Sequence, residues 1–276
     1  MSAPGLPGPA LLFCPADRPD RYGKALAAAD VVVLDLEDAV PAGRKEEARA
    51  ALTSVSLDPD RVIVRVNAVS SPEHAADLAA LRASGYRMVM LPKAEHAEQV
   101  AALDGWRVVA LCETPLGVLN AAALAAQPNV VAMMWGAEDL IAAMNGRTSR
   151  FPDGRYRLVA QHARSAVLLA ATAYGRSAID AVCTDIGDVD GLAAEAEDAA
   201  ASGFALKACI HPSQVSVVRA AFRPTETQVV WAARVVAAAR DGGVVAVDGQ
   251  MIDSPLIRQA EAVLAAADIT LPSGGQ

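Results

Sequence analysis

The chain has 276 residues, of which 53% are hydrophobic, 20% charged and 4% aromatic, and its formal net charge is −8. This length and apolar fraction suit one large α/β domain, or a domain with a short appendage, around a large buried core. The acidic balance argues against a nucleic-acid partner.

The sequence carries no targeting or membrane signal. Its opening segment, MSAPGLPGPA, lacks the basic and apolar regions of a signal peptide, and no apolar run approaches the roughly 20 residues of a membrane span. The four cysteines lie far apart and form no CxxC pair: Cys14, Cys112, Cys183 and Cys209. We therefore expect a cytoplasmic protein without a membrane partner, whose thiols are buried and reduced.

Short apolar runs alternate with helix-compatible segments along the chain. Eight short runs are predicted to be strands, and the fully apolar ones among them are typical of strands buried on both faces. They lie at residues 11–14, 31–40, 62–67, 89–91, 108–112, 130–135, 178–184 and 205–210. Helices are predicted at 19–29, 44–52, 72–84, 116–126, 158–174 and 188–202. Two further helices, which follow the strands at 89–91 and 205–210, are predicted to end at about residues 103 and 221. Residues 145–157 are predicted to form a polar loop, and Asp188 a helix N-cap.

Eight β/α units are what a closed (β/α)8 TIM barrel requires. The alternative, an open doubly wound sheet, more often has a glycine-rich nucleotide loop after its first strand, but here that strand is followed by PADRP. We predict a flexible N-terminus at 1–10, a barrel at 11–222 and a C-terminal helical extension at 223–276. The extension contains helices at 226–240 and about 255–267, which a bare barrel does not need.

Two neighbouring strands end next to carboxylates. Glu113 directly follows the run at 108–112, and Asp139 follows the run at 130–135 after a Gly136 turn. Because the carboxyl ends of parallel strands carry the chemistry of such folds, Glu113 and Asp139 should lie side by side at the functional rim. Hard oxygen ligands of this kind suit Mg²⁺, so the sequence predicts a magnesium site there.

Arg65 interrupts an apolar strand, VIVRVN. An arginine at this position must point into the barrel mouth or be paired, and its planar fork suits a substrate carboxylate. His211 follows the last strand, where it is either a general base or part of a helix entry.

Eight sequence blocks resemble, in order, those of the citrate lyase beta-subunit-like family, a HpcH/HpaI aldolase group that includes malyl-CoA and citramalyl-CoA lyases. The blocks are FCPADRP, VLDLEDAVP, RVN, LPKAE, CETPLG, WGAEDL, IHPSQ and DGQMIDSP, and they span about residues 11–264. The resemblance implies a Mg²⁺-dependent (β/α)8 carbon–carbon lyase. Such an enzyme cleaves a 3-hydroxyacyl-CoA to an acyl-CoA, such as acetyl-CoA, and a 2-oxo acid by reversible Claisen chemistry.

The resemblance also implies roles for individual residues. Glu113 and Asp139 match the metal ligands. Arg65, with the turn of Gly136, Ala137 and Glu138, matches the positions that bind the carboxylate of the oxo acid. Arg18 and Lys24 match the positions that bind the phosphates of coenzyme A. Asp253 matches an acid/base carboxylate that the extension lends to a neighbouring subunit, which implies a homo-oligomer, either a trimer or a hexamer.

Two related functions remain as alternatives to the lyase. The chain could be a citrate lyase beta subunit that acts on an acyl-carrier-protein thioester within a larger complex, or a malate-synthase-like thioester hydrolase. The sequence alone does not distinguish a pocket for pyruvate from one for glyoxylate or oxaloacetate.

Overall fold

Eight parallel strands close into a barrel in the computed structural model, which describes residues 6–240, 245–247 and 250–267. The strands neighbour one another in chain order and are β1 Ala10–Pro15, β2 Val31–Asp35, β3 Val62–Arg65, β4 Met88–Leu91, β5 Arg107–Cys112, β6 Val130–Trp135, β7 Ser177–Asp180 and β8 Leu206–Cys209. β8 pairs with β1 and closes the ring. The predicted (β/α)8 fold is confirmed, and the open doubly wound sheet is excluded.

Helices follow the strands as the alternation predicts. They are α1 Pro19–Ala28, α2 Lys45–Ser54, α3 His74–Ala83, α4 Ala97–Ala101, α5 Pro115–Leu119, α6 Ala121–Ala125, α7 Ala137–Ala143, α8 Leu158–Ala173, α9 Val189–Ser202 and α10 Pro212–Phe222. The single helix predicted at 116–126 is two helices, because the chain leaves helical geometry at Asn120, whose side chain donates to the carbonyl of Glu95 at 2.7 Å. Asp188 caps α9 as predicted, accepting from Gly191 N at 2.9 Å.

Several strands end earlier than their apolar runs do. The run at 31–40 stops being a strand at Asp35, because the Asp35 carboxylate accepts hydrogen bonds from the main-chain N–H groups of Glu37 and Ala39. Such a side-chain turn competes with strand pairing. It bends the chain at the rim and leaves Glu37 in a loop above the barrel.

The barrel interior is filled by alternate residues of the strands. Members of this buried cluster are Leu11, Val33, Ile63, Met90, Leu111, Met134, Ile179 and Ala208. Within the predicted N-terminal segment, Leu6 is buried in the same cluster and Ala10 begins β1. The carboxyl end of the interior is where the apolar filling gives way to charged groups.

The chain divides into two compact units, Met1–Val218 and Arg219–Gln276. The second contains α11 Glu226–Arg240, an antiparallel hairpin of β9 Val245–Val247 and β10 Gln250–Ile252, and α12 Ser254–Ala266. Its own buried cluster includes Ala232, Val235, Ile252, Ala260 and Leu264. The two helices were predicted, whereas the hairpin was not.

None of the described helices is long and apolar enough to cross a membrane. All four cysteines are buried and unbridged, as their spacing predicts.

Candidate active site at the carboxyl end of the barrel

Glu113, the first residue after β5, is buried with 3% of its surface exposed. Its Oε1 accepts a hydrogen bond from the main-chain N–H of Lys93 at 3.1 Å. The pKa of Glu113 is raised to about 8, mainly by burial and also by the nearby Asp139 and Glu37 carboxylates, while Lys93 and Arg65 oppose the shift. The carboxylate form of Glu113 therefore needs a cation beside it.

Asp139 lies in the first turn of α7, beside Glu113 at the rim, as the sequence predicts. The two carboxylates converge on one ammonium. Lys93 Nζ is 3.6 Å from Asp139 Oδ1 and 3.8 Å from Glu113 Oε1. Among the described residues, no group of three or more acidic, histidine or cysteine side chains is arranged to hold a metal. Two carboxylates are nonetheless a usual protein contribution to a Mg²⁺ site.

Gly136 allows Glu113 to lie against the start of α7. A Cβ at Gly136 would be 2.9 Å from both Cβ and Oε2 of Glu113, closer than side chains tolerate. Its N–H donates to the carbonyl of Cys112 at 3.3 Å, so this amide is already committed. The N–H groups of Ala137 and Glu138 belong to the first helical turn, where main-chain donors have no partner within the helix. The Glu138 side chain turns away and accepts from Ser149 Oγ at 2.6 Å.

Lys93 is the central cation of this cluster, and sequence reasoning did not give it a role. It follows β4 and has a φ of 50°, a left-handed conformation that is uncommon for a residue other than glycine. Its Nζ donates to Glu37 Oε1 at 2.6 Å. The only signal in the sequence was its place in the LPKAE block, at the end of a strand.

Arg65 is held in the barrel mouth by one carboxylate at the end of β2 and another in the loop that follows it. Its Nε and Nη2 donate to Asp35 Oδ1 and Oδ2 at 2.7 and 2.6 Å. Glu37 Oε2 lies 3.1 Å from Nη1 but makes no hydrogen bond to any described residue. The Phe13 ring covers one side of the guanidinium, with its centroid 5.0 Å from Cζ. The edge formed by Nη1 and Nη2 keeps donors for one more carboxylate.

Lys45 braces the loop that carries Glu37, a second contribution that sequence reasoning missed. Its buried ammonium donates to the carbonyls of Leu36 and Glu37 at 2.5 and 2.7 Å, and to Asn67 Oδ1 at 2.9 Å. These bonds tie the ends of β2 and β3 to α2. The loop that carries the Glu37 carboxylate, which faces Arg65 and Lys93, is thereby held in position.

The remaining predicted residues lie apart from this cluster or in the other unit. Arg18 is the N-cap residue of α1 and pairs with Asp20 at 3.0 Å, and Lys24 is exposed on the same helix. Asp253 is the N-cap of α12 and accepts from Leu256 N at 3.2 Å. The structure thus brings together Glu113, Asp139 and Arg65, whereas Asp253 belongs to the second compact unit.

The mouth of this (β/α)8 barrel thus holds an arginine, a lysine and several converging carboxylates, a set of groups suited to an enzyme that binds an anionic substrate and a metal ion. The chain belongs to the HpcH/HpaI aldolase/citrate lyase family, whose model matches residues 10–107 and 102–212. The resemblance of the sequence blocks and the expectation of a lyase-class enzyme are therefore confirmed.

Two relatives and one crystal structure indicate where in this family the chain lies. A citrate lyase subunit beta-like protein of Mycobacterium tuberculosis is 55% identical over 258 residues, 93% of this chain and 94% of that relative. A (3S)-malyl-CoA thioesterase of Cereibacter sphaeroides is 35% identical over 273 residues, covering 94% of each chain. The crystal structure of the protein CitE from M. tuberculosis, in complex with magnesium, acetoacetate and coenzyme A, has a TM-score of 0.93 and 55% identity. The match covers 95% of this chain and 98% of the chain in that structure.

Proposed function

We propose that the protein is a Mg²⁺-dependent carbon–carbon lyase acting on a 3-hydroxyacyl-CoA of the citramalyl-CoA or malyl-CoA type. The products are an acyl-CoA, such as acetyl-CoA, and a 2-oxo acid. The observation that carries this proposal is the convergence of Glu113 and Asp139 on one ammonium, Lys93 Nζ. Two hard oxygen donors that already face a shared cation fit Mg²⁺, which leaves its other positions to water and substrate. The magnesium and coenzyme A bound to the M. tuberculosis relative support the assignment.

Glu113 and Asp139 would hold the metal. When bound, Mg²⁺ supplies a Lewis acid that lowers the pKa of the substrate hydroxyl and stabilises developing negative charge. Lys93 holds Glu37 and Arg65 holds Asp35, so these two carboxylates stay in place. Asp139 lies 3.6 Å from the same lysine, and its side chain is 41% exposed.

Arg65 would bind the carboxylate of the oxo acid through its Nη1–Nη2 edge, which Asp35 leaves open and which has Glu37 Oε2 3.1 Å from Nη1. Asp35 fixes the other edge of the guanidinium, so a carboxylate bound to Arg65 would be held in one orientation. That orientation would also fix the position of the carbon–carbon bond that breaks. The N–H groups of Ala137 and Glu138, at the Gly136 turn, would donate to the same carboxylate.

Cleavage needs a proton to leave the hydroxyl and another to reach the α-carbon of the departing acyl-CoA enolate. Asp253 is our candidate for this second transfer, acting as an acid in cleavage and as a base in the reverse direction. Following the family resemblance, it would act on a neighbouring subunit, in a homo-oligomer that is a trimer or a hexamer. Arg18 and Lys24, both on the α1 side of the rim, would bind the phosphates of coenzyme A.

The second candidate function is thioester hydrolysis, favoured by the 35% identity to a (3S)-malyl-CoA thioesterase. A hydrolase would use the same metal and arginine but release free coenzyme A and a hydroxy acid. A citrate lyase beta subunit, working on an acyl-carrier-protein thioester, would instead be inactive on coenzyme A thioesters alone.

One experiment separates these functions. Purified protein is incubated with citramalyl-CoA and with malyl-CoA, in Mg²⁺ and in EDTA, and acetyl-CoA, the oxo acid and free coenzyme A are quantified by mass spectrometry. We expect metal-dependent acetyl-CoA in equal amount to the oxo acid, and its loss in Asp139→Ala but not in Asp198→Asn, an exposed control. Free coenzyme A without acetyl-CoA would make the protein a thioesterase, and no turnover of either thioester would overturn the proposal.

A further inference from the structure

One ammonium faces three carboxylates at the barrel mouth. Lys93 Nζ donates a hydrogen bond to Glu37 Oε1 at 2.6 Å. The same Nζ lies 3.6 Å from Asp139 Oδ1 and 3.8 Å from Glu113 Oε1, at the longer distances of ion pairs. Among the residues that the structure describes, Lys93 is the one cation in ion-pair contact with Glu113 or with Asp139. The lysine therefore neutralises part of the charge of the two candidate metal ligands.

The ammonium of Lys93 is separate from the main-chain contact that orients Glu113. The main-chain N–H of Lys93 donates to Glu113 Oε1 at 3.1 Å. The next residue anchors this loop, because Ala94 N donates to the carbonyl of Leu111 at 3.1 Å. The Ala94 carbonyl also lies against α5, so close to Gly117 that a Cβ there would collide with it. Replacing the lysine side chain should therefore leave Glu113 oriented and remove only the ammonium.

The surroundings of the ammonium explain why a cation is needed there and why this one can move. Glu113 and Glu37 are buried, with 3% and 6% of their surfaces exposed, and buried carboxylates without a cation are costly. The Lys93 side chain is 34% exposed, so its flexible stem borders solvent. A second cation bound to Glu113 and Asp139 would be a close neighbour of Nζ, and like charges at such distances repel. Glu37 offers the ammonium a partner that it can keep.

We propose that Lys93 is a positioning residue whose ammonium competes with Mg²⁺ for Glu113 and Asp139. In the protein without Mg²⁺ the ammonium holds the two carboxylates together, and in the Mg²⁺-bound protein it is confined to Glu37. The inference rests on the proposed function, because it takes Glu113 and Asp139 as the metal ligands. The chain thereby sets its Mg²⁺ affinity below the value that these carboxylates would give alone, and retains their arrangement when Mg²⁺ is absent.

Removal of the ammonium tests this competition. Lys93→Met deletes the charge but keeps an unbranched side chain, and Arg155→Met deletes the charge of a 78%-exposed arginine as a matched control. Calorimetry measures Mg²⁺ binding to the full-length proteins without an oxo acid. We expect the dissociation constant for Mg²⁺ to fall at least tenfold in Lys93→Met and to stay unchanged in Arg155→Met. Unchanged or weaker binding in Lys93→Met would overturn the inference and leave the lyase proposal intact. If neither the unaltered protein nor Lys93→Met binds Mg²⁺, the proposed function fails and the inference fails with it.

Thermal denaturation separates competition from a purely structural role of the lysine. We expect Lys93→Met to unfold at a lower temperature than the unaltered protein in EDTA. In saturating Mg²⁺ the two proteins should unfold at the same temperature, because the metal replaces the missing positive charge. An equal loss in both media would show that Lys93 only stabilises the fold, and would overturn the inference.

A second variant tests the competition without altering the lysine. Glu37→Gln removes the charge that holds Nζ, so the ammonium should bind Glu113 and Asp139 more firmly. We expect the dissociation constant for Mg²⁺ to rise at least tenfold in this variant, opposite in direction to Lys93→Met. Unchanged or tighter Mg²⁺ binding in Glu37→Gln would contradict the competition, whether or not Lys93→Met folds.

Discussion

Asp35 and Arg65 face each other across neighbouring strands and form two parallel hydrogen bonds, from Nε at 2.7 Å and from Nη2 at 2.6 Å. Both side chains are almost completely buried. A bidentate pair of this kind fixes the plane of the guanidinium as well as its position. The pair leaves the Nη1–Nη2 edge of Arg65 for a carboxylate ligand, with Glu37 Oε2 3.1 Å from Nη1.

Replacing Arg65 by lysine should weaken binding of the oxo acid. Lysine keeps the charge but cannot bind Asp35 and a ligand carboxylate in one plane. We expect Arg65→Lys to lower the affinity for pyruvate at least tenfold, about 1.4 kcal/mol, as measured by calorimetry in Mg²⁺. Arg44→Lys, at a 43%-exposed arginine paired with Asp17, serves as the control and should bind normally. Equal affinity in the two variants would show that the carboxylate is held elsewhere.

The barrel and the positions of the metal-binding candidates could be predicted because both follow from local sequence. Runs such as 130–135 are apolar without interruption, as strands covered on both faces must be. Once β5 and β6 are neighbours, with Cys112 opposite Trp135, Glu113 and Asp139 are necessarily close. Arg65 was recognisable because a charge inside such a run needs a partner.

The partners themselves could not be predicted. Lys93 contacts Glu37, which lies 56 positions away in the sequence. Its backbone is left-handed, but a lysine gives no sequence signal of that conformation, as a glycine or asparagine would. Asp35 looked like one of several acids at a strand end, and only the closed ring gives it Arg65. Whether Asp253 meets a barrel of another copy depends on assembly, which local patterns do not encode.

Gly136→Ala should impair the candidate metal site without unfolding the barrel. The added methyl would lie 2.9 Å from Glu113 Oε2 and Cβ, so Glu113 or the start of α7 must shift. We expect Mg²⁺ affinity to fall at least tenfold in calorimetry. Gly23→Ala is a matched control, because nothing lies within 4 Å of the new Cβ. That change lies within a helix and should stabilise the protein by up to about 1 kcal/mol. Unchanged metal affinity in Gly136→Ala would argue against Glu113 as a ligand.

Asp180→Asn should destabilise the barrel strongly. Asp180 is buried and accepts from Arg164, from Trp135 Nε1 at 2.7 Å and from the fully buried Lys207. Its loss leaves the buried Lys207 with only Glu195, 3.2 Å from its Nζ, as a carboxylate partner, and breaking a buried pair of this kind costs about 3–5 kcal/mol. Asp198→Asn, which removes a 63%-exposed partner of the same Arg164, should cost about 0–1 kcal/mol. Urea denaturation followed by tryptophan fluorescence measures both, and similar midpoints would contradict the prediction.

Asp180→Asn should also change how the stability of the protein depends on pH. Burial alone would raise the pKa of Asp180, but Lys207, Arg164 and Trp135 outweigh burial and hold the pKa below its usual range. A lowered pKa in the folded state stabilises the protein above the pKa of the unfolded state, about 3.9, and this contribution is lost as the pH falls. The difference in unfolding free energy between the unaltered protein and Asp180→Asn should therefore be full at pH 7 and shrink below about pH 4. A difference that is constant with pH would exclude the charge as its cause.

The last prediction concerns Asp253 and assembly. Asp253 caps α12 within a unit that has its own apolar core, and its carboxylate is exposed. A residue that acts on another subunit must be exposed, and Asp253 is. Capping of α12 would equally explain an aspartate at this position. Asp253→Asn separates the two roles, because asparagine caps a helix as well as aspartate but cannot transfer a proton. We expect this variant to keep its thermal midpoint and lose activity.

Mixing two inactive variants then tests whether the site is shared between subunits. In an oligomer, Asp253→Asn supplies a native Glu113, and Glu113→Ala supplies a native Asp253. If each site takes Asp253 from its neighbour, random exchange of equal amounts should give both native residues to about a quarter of the sites. Activity should return to that fraction of the unaltered protein, and light scattering should show a trimer or a hexamer. Subunit exchange, verified with a labelled chain, without any return of activity would mean that Asp253 serves its own barrel or has no catalytic role.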